Sequence, residues 1–131
     1  MLIPGDLWQM APDDFPERIP EFHDLIATIS AQVEHTYLVN GNTDRRWGLR
    51  EIAAETNARV LDNEVFDTVI NGVAVRILGV SFDGDDAAFA QARSEFVRPA
   101  ELEPLRIVLV HQPDGVYDFA PSDPIDLLVA G

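Results

Sequence analysis

Residues 106–110 read RIVLV, and His111 follows at once. After Arg106 the run is continuously apolar and has no polar face to turn to water, so it suits a strand covered on both sides. That single preference points to a layered fold rather than an open one-faced sheet. The chain has 131 residues, enough for one domain, and 47% of them are hydrophobic, enough to fill a core.

Strand and helix patterns alternate around this run. Residues 1–4 are short, apolar and strand-like, and lead straight into Gly5-Asp6. Residues 11–16 read as a loop with Asp13-Asp14 ahead of Pro16. A helix is expected from Pro16 or Pro20 to Val33, with Ile19, Phe22, Ile26, Ile29 and Val33 as its buried stripe. Pro20 suits a first turn, where a missing N–H costs nothing. Residues 36–39 form a second strand ending at Gly41-Asn42. A second helix is expected over 47–57, with Leu49, Ile52 and Ala53 inward, then a brief strand at 60–61. Residues 64–70 and 73–80 form a hairpin about Asn71-Gly72, with Val73, Val75, Ile77 and Gly79 on one face. An acidic loop over 81–86 leads to a helix over 85–97, carrying Phe89, Ala92 and Phe96. Residues 112–124 are a loop with Pro113, Pro121 and Pro124, and 125–130 are a last buried strand. The order is β, α, β, α, β-hairpin, α, β, β, without repeats or an interdomain linker. This is an α/β layered domain, and in such folds ligand sites gather where strands end.

The formal net charge is −14, from 23 acidic and 9 basic residues. No nucleic-acid partner is expected by default, and no anionic membrane surface. Action on phosphates would need a local source of positive charge, such as a bound metal. The chain has no cysteine, which excludes disulfides and thiolate zinc sites and leaves oxygen and imidazole as ligands. No apolar run reaches the length of a membrane span. The opening MLIPGDLW lacks the basic start and long apolar stretch of a signal peptide.

Three strands hand over to a polar side chain in the same manner. LIP runs into Gly5-Asp6, YLV into Asn40-Gly41-Asn42-Thr43-Asp44, and IVLV into His111. Neighbouring parallel strands lie about 4.8 Å apart, so their end residues can converge on one ion. Oxygen and imidazole donors suit Mn, Fe, Zn or Mg better than copper. Taken singly, Asp6 reads equally well as an N-cap or turn carboxylate, Asn42 as a turn residue, and His111 as a hydrogen-bonded loop or core residue. Their repeated placement at strand ends favours a shared site.

These segments resemble the calcineurin-like metallophosphoesterases. LIPGDLW is similar to that family's Gly-Asp block, YLVNGNTD to its Gly-Asn-His-Asp/Glu block, and RIVLVHQPD to its block with a histidine after an apolar strand. ARVLDNEV followed by VAVRILGVSFD is similar to the hairpin between them. The resemblance implies a layered αββα β-sandwich with flanking helices, incomplete at both ends. It also implies hydrolysis of a small phosphate ester, mono- or diester, by in-line attack at phosphorus while two divalent ions absorb charge. Asp6 would bridge the two metals, and Asn42 and His111 would bind the second. All three then count as catalytic, and Asn42, Thr43 and Arg45 would meet the substrate.

Three departures accompany the resemblance. The family's Asp-x-His block has no counterpart ahead of Gly5, and its Gly-His-x-His block has none by Gly131. Thr43 stands where the family often has a histidine that either sits behind the metal ligands or donates a proton, and threonine, though it can hydrogen-bond a phosphate, is a poor general acid. The chain is therefore expected to be an internal piece of a longer enzyme that holds two ions, binding at most one weakly itself. A non-catalytic interaction module on the same fold is the alternative. His23 and His35 fall at the wrong ends of the strands to help. Asp83, Asp85 and Asp86 lack calcium-loop spacing and read as a solvated loop and helix start. Asp118, Asp123 and Asp126 read as capping or turn residues, Trp8 as packing, and Arg46 as no more a phosphate contact than a surface residue.

Overall fold

A computed structural model of the chain describes residues 1–7, 15–44, 46–82 and 86–131. Its strands are β1 (Leu2–Ile3), β2 (Thr36–Leu38), β3 (Ala58–Val60), β4 (Glu64–Ile70), β5 (Val73–Val80), β6 (Leu105–Val110) and β7 (Leu127–Ala130). The helices are α1 (Phe15–Gln32), α2 (Arg46–Ala53) and α3 (Asp86–Phe96), with a short 3-10 helix at Pro113–Asp118. Two sheets result, β1-β2-β3 and β4-β5-β6-β7. The first is wholly parallel, and in the second only β4 and β5 run antiparallel.

Side-chain alternation explains the layering. Tyr37 and Val39 from the β2 segment and Leu61 from just past β3 meet Val75, Ile77, Ile107 and Leu109 of the second sheet. This is the interior between the sheets. Leu38 points the other way and packs with Ile26, Leu49 and Ile52 under α1 and α2. Leu78, Val108 and Val110 point away on the opposite side and pack with Ala92 and Phe96 of α3. The order through the molecule is helix, sheet, sheet, helix. Val108 and Leu109, adjacent in sequence, are both fully buried, one in each layer, as expected of the RIVLV run. Leu61 is also fully buried, and a Cβ on Gly79 would lie 2.1 Å from its Cβ, so the sheets touch closely there.

Several boundaries differ from expectation for identifiable reasons. Helix α1 begins at Phe15, one residue before the earlier of the two expected starts, so Pro20 lies inside it rather than in its first turn and cannot donate to the carbonyl four residues back. Helix α2 stops at Ala53, where the carbonyl accepts from both the amide and the hydroxyl of Thr56 while Glu55 takes a positive φ of 58°. The hairpin falls where expected, and Asn71 and Gly72 both have positive φ, as a tight two-residue turn demands. Its faces are not simply one apolar and one polar. Val73 is exposed beyond the covering layers, while Leu78 is buried on the face opposite Ile77. The first strand pairs with β2 through Leu2–Tyr37 and Ile3–Leu38.

The sheets are also tied by polar contacts at one end. The amide of Phe82 donates to the Asn40 carbonyl at 3.2 Å, and the amide of Ser81 to Asn63 Oδ1 at 3.0 Å. Asn40 Nδ2 donates to Ser81 Oγ at 3.4 Å. The two Asn40 bonds join the end of β5 to the end of β2 and so tie one sheet to the other, while the Asn63 bond links the end of β5 to the residue just before β4, within the second sheet. Among the described residues no helix is long and apolar enough to cross a membrane.

Candidate functional site

Asp6 follows β1, Asn42 follows β2 and His111 follows β6, so the first two come from one sheet and the third from the other. The three converge. Asn42 Oδ1 lies 2.9 Å from His111 Nε2, and His111 Nε2 lies 3.6 Å from Asp6 Oδ1. His111 is 9% exposed, whereas Asn42 stands at the exposed rim.

The backbone at the strand ends is shaped for this approach. Gly5 has φ 91° and Asp6 has φ 54°. A side chain on Gly5 would meet the Gly41 amide nitrogen at 2.6 Å, and one on Gly41 would meet Asp6 Oδ1 at 2.2 Å. Glycine at both places lets the two loops lie against each other, and only glycine takes the Gly5 conformation without strain.

Histidine 111 has a settled tautomer. Its Nδ1 is 2.9 Å from the Pro4 carbonyl oxygen, which can only accept, so Nδ1 carries the proton and donates. In the neutral ring Nε2 then presents a lone pair toward Asn42 and Asp6. With the Asn42 amide oxygen inward, carboxylate, amide and imidazole all offer lone pairs to one another, which is the donor set a divalent cation takes. Rotating that amide by 180° sets its NH2 2.9 Å from Nε2 and 3.1 Å from both Asp6 oxygens. The trio can thus hold an ion or close on itself through the amide protons.

Thr43 points inward too. Its amide donates to Asp6 Oδ1 at 3.1 Å and its hydroxyl to the same oxygen at 2.9 Å. The hydroxyl proton is therefore directed at Asp6. Arg45, like Trp8, Asp83 and Asp85, lies outside the described residues. Arg46 opens α2.

The remaining candidates fall elsewhere. His23 Nε2 is 3.1 Å from the Ala54 carbonyl, and His35 sits before β2, at the opposite end from Asn42. Asp123 accepts from Arg93 at 2.6 Å and from the Ala120 amide at 2.9 Å, and Asp126 accepts from the Arg106 amide at 2.7 Å. Asp118 ends the 3-10 helix and, with Ser81, Phe82 and Gln112, lines a cavity of about 120 Å³ beside His111. The Phe82 ring stands edge-on to the imidazole, centroids 6.2 Å apart.

Asp44 is a participant that the sequence patterns leave without a role. Only 6% exposed, it accepts through Oδ2 from the amides of Asp6, at 2.8 Å, and Gly41, at 2.9 Å. Its place three residues after Gly41 in a strand-end turn was the available signal, but a bond to the Asp6 amide has no local signature.

Among the described residues no three His, Cys, Asp or Glu side chains group to hold a metal ion; here two such groups, Asp6 and His111, converge with an amide. Neither a family model nor a curated protein matches the chain.

Proposed function

We propose that the chain is a divalent-metal-dependent phosphoesterase domain of the calcineurin-like class, with Asp6, Asn42 and His111 as ligands. The observation that supports this is the convergence of those side chains, each picked out by its place after an apolar strand, to within 2.9–3.6 Å of one another. The helix–sheet–sheet–helix layering is compatible with that class, and carboxylate, amide and neutral imidazole form a donor set suited to Mn, Fe, Zn or Mg. A divalent ion bound there would supply the positive charge that an acidic chain lacks and would polarise a phosphoryl oxygen.

The chain's own groups do the rest. The Pro4 carbonyl holds the His111 ring with Nε2 inward, and Thr43 steadies Asp6 through two donated hydrogen bonds. Because the Thr43 hydroxyl is turned to Asp6 and is weakly acidic, it gives the leaving group no proton. Esters whose leaving groups are stable as anions, aryl phosphodiesters above all, fit such a site best.

The test is a Mn2+ titration of the purified chain, with hydrolysis of an aryl phosphodiester followed in parallel. One weakly bound ion and slow turnover are expected, both lost in Asn42→Ala and His111→Ala. A variant of either residue that keeps full Mn2+ affinity and turnover sinks the site. The alternative, a non-catalytic interaction module, draws support from the rotated Asn42 amide, which satisfies the trio without an ion. Absence of Mn2+ uptake by the wild-type chain would favour it.

A further inference from the structure

We propose that Asp44 is a positioning residue, whose carboxylate holds Asp6 in place against Asn42 and His111; its effect on metal affinity rests on the reading above.

One oxygen, Asp44 Oδ2, accepts the amide of Asp6 at 2.8 Å and the amide of Gly41 at 2.9 Å. These amides belong to different loops, one leaving β1 and the other leaving β2. The return bonds run the other way, from the Thr43 amide and hydroxyl to Asp6 Oδ1. Each loop's carboxylate thus caps an amide of the other loop, as a capping box does within one helix turn.

Two features make this more than a surface contact. Burying a carboxylate is costly unless donors compensate, and Asp44 at 6% exposure receives two of them. Asp6 also sits at φ 54°, in the left-handed region that residues with a Cβ adopt uncommonly, Asp and Asn more readily than most. The bond from its amide to Asp44 favours that conformation. It sets the direction in which the Asp6 side chain leaves the backbone.

The experiment compares the wild-type chain with Asp44→Ala and Asp44→Asn. An asparagine oxygen can accept the same two amides, whereas alanine accepts neither. Hydrogen exchange of the Asp6 and Gly41 amides is read by NMR, and Mn2+ affinity by titration. In Asp44→Ala both amides should lose protection together, by at least about tenfold. Mn2+ affinity should fall about 10–100-fold, as on loss of an outer-shell partner. Asp44→Asn should restore protection and affinity to within about threefold of wild type.

A folded Asp44→Ala chain with wild-type amide protection or wild-type Mn2+ affinity overturns the proposal. So does an Asp44→Asn chain as impaired as the alanine variant, because charge rather than position would then be at work. If Asp44→Ala does not fold, Asp44→Ser carries the comparison, its hydroxyl being too short to reach both amides. If the wild-type chain takes up no Mn2+, the metal reading fails by itself. The amides then decide the proposal: joint loss of protection in the alanine variant supports it, and unchanged protection overturns it.

Discussion

The Nδ1–H of His111 donates to the carbonyl of Pro4 at 2.9 Å, across 107 residues of chain. Pro4 can offer that carbonyl because it follows β1 immediately, where the strand's pairing with β2 has ended. The bond orients the ring and decides which nitrogen stays bare. Nitrogen chemical shifts should therefore show the neutral ring protonated at Nδ1 and unprotonated at Nε2. The opposite tautomer would contradict the assignment of Nε2 as the inward group.

Gly41→Ala should damage the site more than the fold. The new methyl would stand 2.2 Å from Asp6 Oδ1 and 2.4 Å from the Asp6 amide nitrogen, both held by hydrogen bonds. Relief requires the loops to part. Overpacking of this kind costs about 1–3 kcal/mol, measurable by chemical denaturation. The His111 and Asn42 resonances should shift with it. Gly72→Ala is the contrast: a Cβ there meets nothing within 4 Å, so only the positive φ of 83° opposes it.

Leu61→Ala should be among the costly core substitutions. Leu61 is fully buried between the sheets, packed with Tyr37, Val39 and Ile77. Truncation should remove about 2–5 kcal/mol of stability, depending on how far the sheets close on the cavity. A loss below 1 kcal/mol by urea denaturation would mean that the sheets are not in contact there.

Acid should weaken the fold through the ion pairs on the helix-covered side of the second sheet. The Arg76 guanidinium beside Asp67 and the Arg93 guanidinium beside Asp123 hold both carboxyls below their usual value, mainly by hydrogen bonding. A lowered folded-state pKa means that the unfolded chain takes up protons first as pH falls. The contribution is complete above the unfolded carboxylate value of about 3.9 and is lost as pH drops through the lower folded values. Stability curves against pH should therefore bend downward below about pH 4. Arg93→Ala and Arg76→Ala should flatten that bend, and an unchanged acid limb in both would refute the assignment.

The convergence of Asp6, Asn42 and His111 was legible because each follows an apolar strand, and strand ends are where a layered α/β fold exposes side chains. The RIVLV run likewise pointed to cover on both faces, and α3 on one side and the first sheet on the other supply it. Pro20 was misplaced because its local preference for a first turn was outweighed by the packing of Ile19, Phe22 and Ile26 along a longer helix. The sequence marked Asp44 only by its place in the strand-end turn, and it marked neither the bond from Asp44 to the Asp6 amide nor the Asn40–Ser81–Asn63 ties. They depend on which strands lie side by side and which sheets face each other, and those partners lie 18 to 41 residues apart.

The Pro4–His111 bond also has a consequence for folding. Contacts of such long sequence separation form only after the entropy of closing the chain has been met, and folds rich in them fold more slowly. Each sheet can gather from its own neighbouring segments, but the trio does not exist until one sheet has docked on the other. Refolding should therefore show secondary structure before the His111 environment becomes native, with the site as the last region to mature.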